Sequence, residues 1–141
     1  MKNIVFKDRI DAMDFKKVTE MLSHAFWSPG IGMAEIKKGA VNSSLVVGAF
    51  LPNHTQIGYA RVISDKTRFA YILDVYVDEN FRKQGVGQGM INYILTHDAL
   101  KDVYQWLLIT KDAHGVYGKS GFKVVSRPLD WMEIRKERPV R

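Results

Sequence analysis

The sequence predicts one α/β domain, an α+β sandwich built on a mixed sheet, spanning residues 1–141. Three observations predict it. Apolar residues recur at helical spacing near the N-terminus and again after residue 85. Three strand-length runs joined by short turns fill residues 45–77. A strand–helix–strand unit then runs from Phe69 to Thr110.

Residues 3–7 read as a short strand. Asp14 offers an N-cap to a helix whose apolar face is Phe15, Val18, Met21, Leu22, Ala25 and Phe26. Trp27-Ser28-Pro29-Gly30-Ile31-Gly32 interrupts it with one proline and two glycines, and a weaker helix follows from Met33 to Val41. Leu45–Phe50, Gln56–Ser64 and Phe69–Val77 make an antiparallel meander. The glycine-rich Arg82–Gly89 segment opens a helix with Met90, Ile91, Ile94 and Leu95 on its apolar face. Trp106–Thr110 reads as a buried strand, parallel to Phe69–Val77 because the crossover between them must be right-handed. Asp112 is placed to cap a short helix ending at Gly121, and Phe122–Ser126 with Trp131–Arg135 reads as a closing strand pair.

Composition narrows the function. With 141 residues, 46% of them hydrophobic and 26% charged, the chain can bury a core unaided. The absence of cysteine excludes a disulfide scaffold, a thiol nucleophile and thiolate metal sites. His24, His54, His97 and His114 lack ligand spacing, so no metal is expected. The N-terminus shows no signal-peptide pattern and no apolar run reaches membrane-spanning length, which predicts a cytoplasmic protein that does not enter a membrane. A net charge of +6 suits a phosphate-bearing ligand. The basic residues are too scattered, and too little interleaved with aromatics, to predict nucleic-acid binding.

The most informative segment is Arg82-Lys83-Gln84-Gly85-Val86-Gly87-Gln88-Gly89. Alternating glycines let successive backbone N–H groups converge on an anion, and the helix that follows adds about half a positive charge at its N-terminus. Arg82 and Lys83 bring full charges. The competing reading is a tight strand-to-helix turn with no ligand. A dinucleotide fingerprint fails at Met90 and a phosphate loop ending at Gly118-Lys119-Ser120 fails at Ala113.

Arg82-x-x-Gly85-x-Gly87 resembles the Q/R-x-x-G-x-G/A motif of the GNAT superfamily of acyl-CoA-dependent N-acetyltransferases. Leu73-Asp74-Val75-Tyr76-Val77 resembles that family's central strand, and Ala113-x-x-x-Tyr117-x-x-x-Gly121-Phe122 its A-x-x-x-Y-x-x-x-G-F signature. The resemblance covers residues 44–126. It implies helices on both faces of a mostly antiparallel sheet, with two parallel central strands splayed around acetyl-CoA. It implies that main-chain groups of Val75 and Val77 meet the pantetheine arm while their side chains stay in the core. The pyrophosphate would sit on Gln84, Gly85, Val86, Gly87 and Gln88, beside Arg82 and Lys83. Tyr117 would lie near the thioester sulfur and donate to the departing thiolate. Thr110 stands where many relatives carry asparagine, in reach of the same arm.

The resemblance thus implies an N-acetyltransferase acting on a small-molecule amine or a protein amino group. The alternative is a non-catalytic acyl-CoA sensor. For the general base, Asp74 is the leading candidate beside the reaction centre, with Tyr71, Glu35 and a relayed water competing. Phe26 and Trp27 could wall an acceptor pocket in which Glu35 or Asp74 attracts a cationic amine, or simply complete the core. Homodimers are common among relatives of this kind, and edge strands near both ends leave room for pairing. Residues 136–141 read as a solvated tail.

Overall fold

A computed structural model describes residues 3–141. Its five strands are β1 (Val5–Lys7), β2 (Leu45–Phe50), β3 (Gln56–Ser64), β4 (Phe69–Val77) and β5 (Gln105–Leu107), in that spatial order. The β1–β2, β2–β3 and β3–β4 pairs are antiparallel and β4–β5 is parallel. The helices are α1 (Phe15–Ser23), α2 (Met33–Val41), α3 (Val86–Leu95) and α4 (His114–Gly118). The second helix and the three strands of the predicted meander, residues 33–41, 45–50, 56–64 and 69–77, have the predicted bounds.

Alternation along β2 sorts the core into two layers. Leu45, Val47 and Ala49 join Ala60, Val62, Ala70 and Ile72 under the α3 residues Met90, Ile91 and Ile94. Val46 and Phe50 join Tyr59 under Val18, Met21 and Leu22 of α1 and Ile36 and Ala40 of α2. All six β2 residues are buried, because helices cover both faces of the sheet. Asp14 caps α1 as predicted, its Oδ1 accepting from the Lys17 N–H at 3.2 Å. The buried Gln56 ties this cap to the sheet: Oε1 accepts from the Asp14 N–H at 2.8 Å and Nε2 donates to Gly58 O at 3.0 Å.

The helix predicted through Ala25 and Phe26 stops at Ser23. Ser28 Oγ donates to Leu22 O at 2.8 Å, and the N–H of Gly30, at φ +71°, donates to Ser23 O at 3.0 Å. These bonds satisfy carbonyls of the last turn and bend the chain toward α2.

The last third departs most from expectation. Trp106–Thr110 pairs with β4 only as far as Leu107. Asp112 makes no cap; the Ala113 N–H donates instead to Thr110 Oγ1 at 3.0 Å, and α4 ends at Gly118 rather than Gly121. Gly121 does take the left-handed conformation, at φ +99°. Phe122–Ser126 and Trp131–Arg135 form no strands: among the described residues their main-chain bonds are turn bonds, Phe122 N–H to Tyr117 O and Trp131 N–H to Pro128 O at 3.3 Å each, and neither joins a ladder. The parallel pair therefore lies at the edge of the sheet. The chain end is not simply solvated: Arg138 Nη1 donates to Phe26 O at 2.7 Å, and Arg141 makes a two-pronged bond to Glu35 at 2.7 and 3.1 Å. Among the described residues no helix is long and apolar enough to cross a membrane.

Two contacts set the approach of the helices. A Cβ on Gly89 would lie 2.5 Å from Phe6 Cζ, so α3 reaches the sheet only because residue 89 has no side chain. Gly89→Ala is expected to cost about 1–3 kcal/mol in denaturant unfolding, partly recovered by Phe6→Leu. On the other face, Lys17 Nζ meets Asp78 Oδ2 at 2.7 Å, while Asp78 Oδ1 accepts from the Asn80 N–H at 2.9 Å. The Lys17 bond holds the Asp78 carboxyl below its usual range, and the same bond raises Lys17. The Asp78 contribution is therefore present above about pH 4 and lost as pH falls through its lowered value; the Lys17 contribution is complete below about pH 10 and lost as pH rises further. Asp78→Ala should cost about 1–2 kcal/mol near neutrality and flatten both limbs of the stability–pH profile.

Candidate functional site

The ladder between β4 and β5 joins Phe69 to Gln105, Ala70 to Trp106 and Tyr71 to Leu107, and then ends. Beyond Tyr71 the ladder has no further rungs, so the main-chain edge of β4 along Ile72–Val77 has no β5 partner among the described residues. This splay is the predicted one.

A β-bulge sits within the uncovered stretch. Tyr59 pairs with Tyr76 and Arg61 with Leu73, so Asp74 and Val75 together oppose Ala60. Asp74 takes φ +56°, which is strained for a residue with a side chain. The extra residue reverses the alternation. Ala70 and Ile72 face the α3 layer before it, and Val75 and Val77 face that layer after it. Asp74 is thereby kept out of the apolar layer, and its carboxylate meets Arg61 Nε at 2.7 Å and Trp27 Nε1 at 3.0 Å. The Asp74 and Arg61 side chains are 16% and 19% exposed.

At the end of β4 the chain enters the glycine loop. Lys83 and Gly85 are both left-handed, at φ +62° and +83°. Gly85 is the N-cap of α3 and has open space where a Cβ would stand. The Gly89 N–H donates to Gly85 O at 2.9 Å, so the N–H groups of Val86, Gly87 and Gln88 are the first-turn donors without a carbonyl in α3. Arg82 is fixed beside them: Nε donates to Val77 O at 2.9 Å and the guanidinium lies 5.0 Å from the Tyr76 ring centroid. The Gln88 side chain turns away, Nε2 donating to Ser120 Oγ on the α4 side. The glycines thus have separate reasons. Gly85 supplies a left-handed turn, and Gly89 supplies close packing. Gly87 tolerates a Cβ at an ordinary 3.6 Å from Val77.

Tyr117 of α4 is half-buried, edge-on to Phe122 at 6.1 Å, and its hydroxyl has no hydrogen-bond partner among the described residues. Burial pushes its pKa up, so it is a proton donor across the physiological range. Thr110 spends an acceptor position on Ala113 but keeps its hydroxyl proton for a ligand. His114 is exposed.

On the α1/α2 face, a cavity of about 330 Å³ lies between α2 and the sheet. Asp74, Arg61 and Tyr59 line it from the sheet, with Glu35, Ile36 and Gly39 opposite. The Tyr59 hydroxyl is buried there without a hydrogen-bond partner among the described residues, and its burial raises its pKa. Glu35 is bound by Arg141, which lowers its pKa. Trp27 sits edge-on between Phe26 and Tyr76 against the core, and neither Phe26 nor Trp27 lines the cavity as the expected wall. Phe26 is 58% exposed, so it does not complete the core. Tyr59, Arg61 and Arg141 were missed by sequence reasoning. The lone arginine in the apolar run Gln56–Ser64 is the signal that could have revealed Arg61.

Known proteins share this fold. A family model described as an acetyltransferase (GNAT) domain matches residues 44–124. Among solved structures, a protein from Xanthomonas campestris pv. campestris described as belonging to the GNAT family aligns at TM-score 0.90 with 29% identity, over 96% of this chain and 95% of that one. A GNAT-family protein from Streptococcus pneumoniae aligns at 0.73 with 19% identity, over 96% and 98%. A predicted acetyltransferase from Clostridium acetobutylicum, solved with acetyl-CoA, aligns at 0.70 with 18% identity, over 94% and 96%. The last two show the fold alone. None of the curated proteins compared matches the chain. The matched stretch takes in the bulge at Asp74, the glycine loop and Tyr117, and the chain belongs to the GNAT acetyltransferase family.

Proposed function

We propose that the chain moves an acetyl group from acetyl-CoA to a primary amine, of a small molecule or a protein, by direct attack on the thioester. The observation that carries this reading is the parting of β4 from β5 after Tyr71 and Leu107. It opens a cleft with anion donors at one end, the Asp74 bulge midway and Tyr117 nearby in the chain fold. The residues present fit the cosubstrate. The N–H groups of Val86, Gly87 and Gln88, with Gln84, Gly85, Arg82 and Lys83 around them, suit a pyrophosphate. The uncovered edge at Val75 and Val77 suits an extended amide-bearing arm, which Thr110 can also reach with its hydroxyl. Acetyl-CoA supplies an activated acyl carbon and a thiolate leaving group.

The chain's own residues do the rest. The cavity under α2 takes the amine, where Asp74 attracts the ammonium and accepts its proton, and the unpartnered Tyr59 hydroxyl offers a further polar contact. A lysine-like amine must lose its proton at a cost of about 4–5 kcal/mol at neutral pH, an α-amine at about 1 kcal/mol. As nitrogen bonds to the carbonyl carbon, the carbon–sulfur bond breaks and sulfur keeps the electron pair. Tyr117 then donates its phenolic proton to that sulfur and regains one, through water, as the acylated nitrogen sheds its remaining extra proton to become an amide.

Thermal unfolding with acetyl-CoA at about 100 times its Kd should show a rise of several degrees, from about 2.7 kcal/mol of binding, that ATP and NADH do not reproduce. Gly85→Glu, which sets a carboxylate among the donors, should weaken acetyl-CoA affinity more than tenfold, and Arg82→Ala should weaken it less. Tyr117→Phe should slow turnover without abolishing it, since a thiol of pKa about 8.5 leaves tolerably unaided. Asp74→Asn should keep the acetyl-CoA shift but lose at least tenfold in amine-dependent thiol release. A shift with acetyl-CoA and no thiol release for any amine would favour the acyl-CoA sensor instead.

A further inference from the structure

We propose that the acceptor amine carries a carboxylate of its own, held by Lys38, Arg61 and Tyr59. The substrate class is then a free amino acid, or a peptide whose acidic group lies beside its free amine. This deepens the reading of the cavity under α2 as the acceptor site, and it rests on that reading.

The two carboxylates of the cavity are already committed. Asp74 accepts from Arg61 Nε at 2.7 Å and from Trp27 Nε1 at 3.0 Å, one donor on each oxygen. Glu35 accepts from Arg141 on both oxygens, at 3.1 and 2.7 Å. What the lining has left to offer is mostly donors. The Tyr59 hydroxyl belongs to a residue 1% exposed and meets no partner among the described residues. Arg61 spends Nη1 on Gly39 O and Ser43 Oγ, at 3.4 and 3.3 Å, while its Nη2 has no partner among the described residues. Lys38 lines the cavity with its ammonium unpaired. The acceptors still open are weaker: the neutral Asn42 Oδ1 and the spare lone pairs of the two bound carboxylates.

These donors converge from two elements. Tyr59 and Arg61 are two residues apart on β3 and both line the cavity floor. Glu35, Lys38 and Gly39 recur at three and four residues along α2, a single helical stripe facing that floor. A Cβ on Gly39 would stand 3.3 Å from Arg61 Cζ, so the missing side chain lets the stripe close over the guanidinium.

Charge then selects the ligand. Three cations, Lys38, Arg61 and Arg141, stand at the cavity against two carboxylates. A bare alkylammonium would add a fourth cation and leave the Tyr59 hydroxyl, Lys38 and Arg61 Nη2 unanswered. An amine that bears a carboxylate adds no net charge, and its oxygens accept from all three. Burial raises the Tyr59 pKa, so the hydroxyl keeps its proton to donate. Asp74 remains for the ammonium end.

The test is thiol release from acetyl-CoA with free amino acids, ω-amino acids included, against their carboxamides, kcat/KM being corrected for the lower amine pKa of each amide. Peptides with aspartate or asparagine after the N-terminal residue separate a peptide source from a free amino acid. Thermal unfolding of the CoA complex with the same compounds reads binding without transfer. The acid should be preferred at least about tenfold over its amide. Lys38→Glu should erase that preference and Lys38→Arg should keep it, a pattern that a merely structural lysine does not give. Tyr59→Phe should cut the preference at least about threefold, yet raise the Tm of the free chain by removing a buried hydroxyl that has no partner. Amides turned over as well as acids would overturn the subsite and leave acetyl transfer standing. Acids that raise Tm more than amides, with no thiol release from any amine, would uphold the subsite and overturn the transfer. Equal thermal shifts with no thiol release would overturn both. An acid preference that neither Lys38→Glu nor Tyr59→Phe moves would place the carboxylate elsewhere and overturn the proposal.

Discussion

The bulge at Asp74 is the constraint on which the rest of the cleft depends. One extra residue in β4 opposite Ala60 switches the strand's alternation, so that valines before a helix layer and a carboxylate before a cavity come from adjacent positions. Without the switch Asp74 would face Met90 and Ile91, where an unpaired carboxylate is prohibitive. The left-handed backbone at Asp74 stores strain, and the short bond to Arg61 with the Trp27 indole contact offsets it. Trp27 also anchors the α1–α2 link to the same carboxylate. One side chain therefore organises the sheet, the link and the cavity floor together.

The anion loop is held by different means. Its donors are aimed by α3, and α3 is placed by close packing on small residues: Gly89 over Phe6, and Gly58 under Met90. Backbone donors on a helix packed to the sheet are rigid, as the proposed diphosphate site requires. Arg82 extends this by bridging back to the last carbonyl of β4. The side of the cleft formed by β5 and α4 is more lightly built. The strand pairs over three residues and the helix is five residues long, so Tyr117 depends on its ring contacts with Phe122 and the α3 layer for its position.

The two carboxylates that line the cavity are each held by an arginine, while Lys38 lines it without a side-chain partner. Arg61 holds Asp74 and Arg141 holds Glu35. On the proposed reading, an arriving ammonium meets carboxylates that already have donors and must use their remaining lone pairs. The tail that supplies Arg141 crosses the α1–α2 link on its way, so the mouth of the cavity and the exposed segment after residue 130 belong to one continuous stretch of chain.

The meander, the second helix, the parallel crossover and the glycine loop were legible in the sequence because each is written in local terms. Alternation, cap residues and glycine spacing act over a few residues, and Leu45–Val77 keeps them without conflict. The motif residues around Gly85 and Tyr117 were legible for the same reason. Only the tertiary structure decided the rest. Whether Asp74 faced core or cavity turned on a register shift against β3, and pairing register is a property of two strands. Arg61, Tyr59 and Arg141 gained their roles from contacts across 13 to 106 residues of chain, which no local pattern records. The last two predicted strands failed for a complementary reason: their alternation is that of a strand, but a strand needs a partner, and among the described residues neither segment pairs with an edge of the sheet.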